Sequence, residues 1–134
     1  LRVWSTATWS QVAEVAAPFR DAPDTTHFRR VSWSPDGMTL CVTAALERGK
    51  PVAQLLRRDD WTKAVDLVGH SAPLVACRFS PRMLAPRERH RTCCVVGDNE
   101  GDVSVWTSGS PSPVVVLRHA CEAIMDAAWD PDGR

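Results

Sequence analysis

His70, Asp98 and Glu100 are the residues of this chain whose types and placement best suit chemistry: an imidazole and two carboxylates in the stretch that leads to Trp106. Such a set serves general acid and base work or holds a metal ion. A metal wants three or four converging ligands, and His70 with one or two carboxylates falls short of that number. A Ser-His-Asp hydrolase needs an activated serine beside the histidine, and no G-x-S-x-G elbow occurs. A P-loop and a G-x-G-x-x-G are absent as well. The expectation is therefore a non-enzyme, with no catalytic residue, no cofactor and no metal.

Two further groups of reactive or charged residues have plainer readings. The five cysteines, Cys41, Cys77, Cys93, Cys94 and Cys121, are odd in number and form no C-x-x-C pair, which speaks against a disulfide framework or a zinc site and fits a reducing compartment. Cys93 and Cys94 lie in an apolar run, where one thiol should face a core and the other the opposite side of a strand. Residues 81–91 carry four arginines, Arg82, Arg87, Arg89 and Arg91, against Glu88. Arginine forks suit phosphates and carboxylates, but two prolines and the lack of interleaved aromatics read first as a solvated projecting loop.

Composition narrows the setting. The 134 residues are 44% hydrophobic and 24% charged, a globular balance of single-domain size. Sixteen basic side chains offset sixteen acidic ones, so no bulk field draws the chain to nucleic acid or to an anionic membrane. No apolar run approaches a membrane span. The opening Leu1-Arg2-Val3-Trp4 has neither an initiator Met nor a signal-peptide profile, as if the start were the middle of something.

The elements that position these residues are strands. Val31-Ser32-Trp33-Ser34-Pro35-Asp36-Gly37, Cys77-Arg78-Phe79-Ser80-Pro81 and Ala128-Trp129-Asp130-Pro131-Asp132-Gly133 end alike, with aromatics 46 and 50 residues apart, the spacing of a repeat architecture. In each, the aromatic packs inward and the proline presets a turn that Asp-Gly completes where present. Short segments rich in Val, Leu, Thr and Cys, bounded by Gly, Pro, Asp and Ser, predict strands at 11–16, 29–34, 39–44, 52–57, 64–68, 74–80, 92–96, 102–106, 113–117 and 124–130. No window holds a long helical period, so the chain is all-β. A long loop spans 18–26.

Asp66-Leu67-Val68-Gly69-His70, the strand to Phe79 and Gly101-Asp102-Val103-Ser104-Val105-Trp106 together resemble a WD repeat, whose four-stranded sheets are the blades of a β-propeller. On that pattern residues 1–8 end a preceding blade, 9–60 form a first blade, 61–108 a second, and 109–134 begin a third. Propellers close with about four to eight blades, so the chain reads as a fragment of about two and a half blades. Made alone it would leave strand edges open and should aggregate or melt without cooperativity.

The resemblance implies a structural tetrad of histidine, hydroxyl, turn aspartate and tryptophan. Counting back from Trp106 puts Glu100 at the aspartate position and Asp98 at the hydroxyl position. Two ionised carboxylates repel, so either His70 is protonated or the loop shifts and Asp98 takes the aspartate role. The first blade offers His27 and Thr43 but no terminal tryptophan, so a tetrad is not expected there. Trp33, Phe79 and Trp129 should pack between blades instead of binding partners.

Further runs narrow the resemblance: residues 26–37, Ala53-Gln54-Leu55-Leu56-Arg57-Arg58-Asp59-Asp60-Trp61, Ser104-Val105-Trp106 and Ile124-Met125-Asp126-Ala127-Ala128-Trp129 look like the amino-terminal propeller of the HIRA family. That resemblance implies a nuclear histone chaperone subunit that deposits histones outside replication and represses transcription, with the propeller docking a ubinuclein-like subunit. By analogy with other propellers, the docking face would carry His27, Arg29, Glu47, Arg48, Lys50, His70, Ser71, Asn99, Glu100 and Glu122. The departures from the family are Asp98 and Glu100, a shorter loop near Glu47 to Lys50, and Asp130-Pro131-Asp132. A rival reading is a ubiquitin-ligase substrate receptor, although the Trp-Asp-x-Arg such receptors often carry is replaced by Trp4-Ser5 and Trp106-Thr107.

Overall fold

The computed structural model describes residues 1–22, 29–84, 90–118 and 122–134. Among them are ten β-strands, one 3-10 turn at Ala17–Phe19 and no α-helix. The strands are β1 Arg2–Trp4, β2 Gln11–Glu14, β3 Ser32–Trp33, β4 Thr39–Glu47, β5 Lys50–Arg57, β6 Lys63–Val68, β7 Leu74–Phe79, β8 Cys93–Asp98, β9 Asp102–Thr107 and β10 Val115–Arg118. They form three antiparallel sheets, with orders β1-β2, β3-β4-β5-β6 and β10-β9-β8-β7. This is the all-β architecture of a WD-repeat propeller fragment.

Each four-stranded sheet is a meander, and the two run the same way. Arg30 N–H donates to Val75 O and Phe79 N–H donates to Ser32 Oγ, so the innermost strands β3 and β7 lie side by side and parallel. The turns therefore sort to two ends. The β4-β5 and β8-β9 turns and the β6-to-β7 connection share one end; the β3-β4, β5-β6, β7-β8 and β9-β10 turns share the other.

Burial explains the sequence pattern. β7 is buried along most of its length and gives Leu74, Cys77 and Phe79 to the core shared with the first sheet. The face shared by the four-stranded sheets holds Cys41, Ala53, Leu67, Leu74, Cys77, Phe79, Cys94, Val96 and Trp106. A smaller cluster of Leu40, Val42 and Leu56 faces Leu1, Val15, Phe19 and Trp61. Burying each large apolar side chain of this kind contributes about 1.5–3 kcal/mol. Cys93 and Cys94 alternate as expected, but both are buried.

The repeated turn is built alike in its first and third copies. Gly37 N–H reaches Ser34 O and Gly133 N–H reaches Asp130 O, each glycine having positive φ. In the middle copy, which lacks Asp-Gly, Ser80 Oγ accepts the Arg82 N–H instead.

Four differences from the sequence expectations have physical causes. β4 runs on to Glu47 because a bulge at Thr43 and Ala44, the latter at φ 60°, absorbs an extra residue and interrupts the alternation. The expected strand at 29–34 contracts to Ser32–Trp33. The expected strand at 124–130 does not form: among the described residues its backbone is held to the second sheet only where Ile124 N–H donates to Asp98 O, and the rest is fastened by side chains. Finally, Trp33 stays 43% exposed. It projects beside Leu40 toward the β1-β2 side, where the sheet is two strands wide, and rests on Trp61 edge-to-face with Arg58 over its ring.

Sequence units and sheets are also offset by a strand. Residues 61–108 read as a unit, yet β6 hydrogen-bonds to β5 and closes the first sheet, while β10 closes the second.

Candidate functional site

The second sheet converges four polar side chains. β9 alternates, so Ser104 and Trp106, two residues apart, point to the same buried face. β8 ends in Asp98, opposite Leu74 at the start of β7, and the connection before β7 carries His70. The result is a chain of short contacts: Trp106 Nε1 donates to Ser104 Oγ at 2.7 Å, Ser104 Oγ lies 2.6 Å from His70 Nε2, and His70 Nδ1 lies 2.7 Å from Asp98 Oδ2. The other carboxylate oxygen of Asp98 accepts the N–H groups of Glu100 and Asp102, which shapes the β8-β9 turn.

This network corrects the sequence assignment. Asp98 holds the aspartate role, Ser104 supplies the hydroxyl, and Glu100 contributes only its backbone N–H, its side chain lying on an exposed turn. Of the two alternatives, the structure takes the one in which Asp98 moves into the aspartate place. A neutral His70 protonated on Nδ1 satisfies every group in turn: indole to hydroxyl, hydroxyl to Nε2, Nδ1–H to carboxylate. Ser104 was missed by counting, although its shared face with Trp106 marks it.

The order Ser104, His70, Asp98 is also that of a hydrolase triad. Chemistry is nonetheless blocked. Ser104 is 0% exposed, and the His70 and Asp98 side chains are 2% and 1% exposed. The Trp106 indole already occupies one lone pair of the serine oxygen, and burial leaves a substrate carbonyl no path to the other. The network locks the sheet: each buried polar group is paired, and removing one strands another.

The first sheet has a different lock. By register Gln54 stands where Ser104 stands and Leu56 where Trp106 stands. Gln54 Nε2 donates to Asp66 Oδ1 at 2.9 Å across β5 and β6, and Lys63 joins Asp66 to Glu47. These carboxylates raise the Lys63 ammonium above its ordinary value, Asp66 most. Thr43 Oγ1 donates to Arg30 O. His27 lies outside the described residues.

The three inner segments are tied by charge. Asp126 accepts from Arg78 and pairs with Arg30 at 3.5 Å, and Trp129 Nε1 donates to Arg78 O. The Ala127 N–H, then Arg78 and Arg30, hold the Asp126 carboxyl below the usual carboxylate range. Phe79 lies in the shared core, Trp129 is half-buried, and Trp33 is the exposed member of the set. Cys41, Cys77 and Cys94 meet in that core; the Cys77 thiol and burial push Cys94 far up, which leaves it a protonated apolar side chain. Among the described residues no group of three His, Cys, Asp or Glu side chains is placed to hold a metal.

The proposed docking residues gather at the end bearing the β4-β5 and β8-β9 turns. Arg29, Arg48, Lys50, Ser71, Asn99, Glu100 and Glu122 are exposed there, and Glu47 is half-buried in its pair with Lys63. His70 is buried in the tetrad and offers no surface. Of the arginine loop, Leu84 and Arg91 pair through both backbone groups at its neck, and residues 85–89 lie outside the described set.

Comparison with known proteins decides the family. No protein-family model matches the chain. Protein HIR1 of Mycosarcoma maydis is 35% identical over 136 residues, covering 99% of this chain, and protein HIRA of Takifugu rubripes is 34% identical over 134 residues, covering 92%. The chain belongs to the HIRA family. A third HIRA-family relative, protein hir1 of Aspergillus terreus, is 35% identical over 89% of the chain. The chain spans about 13% of the length of each of these HIRA-family proteins.

Proposed function

We propose that this segment is part of a non-enzymatic protein-interaction platform in a HIRA-like histone chaperone complex, acting in replication-independent chromatin assembly and transcriptional repression in the nucleus. The observation that carries the reading is the match to HIR1 and HIRA proteins along nearly the whole chain. The sealed tetrad supports a scaffold in place of a catalyst, since a rigid stack of sheets holds its turns in fixed positions for a partner. The partner is a ubinuclein-like subunit, met by the end that carries Arg29, Glu47, Arg48, Lys50, Ser71, Asn99 and Glu122, with His27 in the same sequence group. Histones are engaged through the complex.

The test is affinity purification of the full-length protein with identification of its partners. Histones together with a ubinuclein-like subunit are expected, and R48E combined with K50E should reduce the subunit and leave the fold unchanged. Recovery of ubiquitin-ligase adaptors in their place would overturn the proposal.

A further inference from the structure

The two four-stranded sheets pack closely near their centre and splay apart at the end opposite the proposed chaperone face. The splay leaves a groove of about 410 Å³ whose floor is formed by Leu55, Val65, Leu67, Phe79, Cys94 and Trp106 and whose rim is the β9-β10 turn at 107–111. That volume lies within the range of about 300–1,000 Å³ typical of built ligand sites. No Asp, Glu, Lys or Arg lines it. Val65 is 42% exposed at its mouth, an apolar side chain on β6, whose outer edge has no strand paired to it among the described residues.

Charge around the mouth is uneven. On the first-sheet side, Arg57 is paired with Asp60, and Lys63 with Glu47 and Asp66. On the second-sheet side the Arg91 guanidinium lies against Gly109 of the rim, and no acidic partner of Arg91 occurs among the described residues. Arg82, before the Leu84–Arg91 neck, is itself paired with Asp132, so the basic group at this rim is Arg91. An apolar floor with a basic flank is complementary to an apolar anchor with acidic neighbours.

We infer that the groove between the two sheets is a second docking site, for an acidic peptide segment of a partner protein that inserts a Leu or Phe side chain against Val65 and Leu67 and sets its carboxylates toward Arg91. The apolar floor favours a peptide over nucleic acid, because Trp106 and Phe79 are too buried to stack on bases. The site is independent of the chromatin reading and sits at the other end of the sheets.

The test is selection of a random short-peptide display library on the full-length protein, with V65E as the counter-selected variant. Recovered peptides are then synthesised and measured by fluorescence anisotropy. Acidic peptides with Leu or Phe are expected, with V65E and R91E each weakening binding about ten-fold, a loss of about 1.4 kcal/mol. E122K, on the chaperone face, should leave the peptide affinity unchanged, so the two sites fail or survive separately. If hydrogen exchange shows that V65E loosens β6, V65S takes its place. Recovery of basic peptides, of binders indifferent to Val65, or binding of duplex DNA that needs Arg91 but not Val65 would overturn the inference.

Discussion

The hydroxyl oxygen of Ser104 stands 2.6 Å from Nε2 of His70, and through that contact strand β9 of the second sheet is tied to the connection that enters β7. Replacing Ser104 by Ala leaves the Trp106 indole N–H and a buried imidazole nitrogen unpaired. The expected cost is about 1–3 kcal/mol per stranded group, read as faster hydrogen exchange of amides in 98–106 in the full-length protein. S104T should retain most of the protection, and E100A should change it little. Equal effects of E100A and S104A would restore the aspartate role to Glu100.

Gly97 is a close-approach position. A Cβ added there would stand 2.5 Å from Ile124 Cγ2 and 2.7 Å from its Cβ. Ile124 is branched and cannot withdraw a flexible tip, so G97A should expel it and free residues 122–130 from the sheet. Limited proteolysis of that segment is the measurement. Unchanged proteolysis in G97A would show that Ile124 does not fasten the segment.

Asp126 links Arg30 and Arg78, so its pKa shift has a definite sign. Its folded-state value is lowered, and the stabilisation is present above the ordinary carboxylate range and lost as pH falls through the folded value. D126N should remove this acid-side dependence of protection in 124–130. Near neutrality its effect should be small, because all three groups are partly exposed. A larger effect in acid than at neutral pH would contradict the assignment.

The aromatic repeat should divide energetically. F79A removes a buried ring and should cost about 3–5 kcal/mol, while W33A loses only its contacts with Trp61 and Arg58 and should cost about 1 kcal/mol. Denaturant melts of the propeller check the ratio. Equal losses would mean that Trp33 is covered by other parts of the protein.

The segment produced alone is expected to aggregate or melt without cooperativity, since Trp4, Trp9, Val12 and Val115 all stay exposed on or beside edge strands. Differential scanning calorimetry is the check, and a sharp two-state transition of a soluble monomer would refute it.

Most strands were legible because apolar runs, alternation and turn residues are local signals: Leu74 to Phe79 is a buried apolar run ended by a proline turn, and Asp102 to Thr107 alternates. The continuation of β4 past Ala44 was not, because a bulge leaves the same residues on the strand and changes only their phase. Residues 124–130 have a strand's composition, yet a strand also needs a paired backbone, and sequence does not say where one is. The tetrad was half legible. His70 and Trp106 announced it, whereas the serine required reading Ser104 and Trp106 as neighbours on a pleated face instead of counting fixed offsets. The exposure of Trp33 depends on what lies over it, which no local pattern records.

The offset between sequence units and sheets has a consequence for how such a chain is cut or rearranged. Since β6 precedes His70 in the sequence but seals the first sheet, sheets here overlap along the chain like roof tiles. Excising residues 61–108 would strip the outer strand from one sheet and orphan β10 of the other, damaging two units at once. Viable deletions, swaps and circular permutations should instead have their breakpoints between Val68 and His70, which leaves β6 with the first sheet and the tetrad histidine with the second.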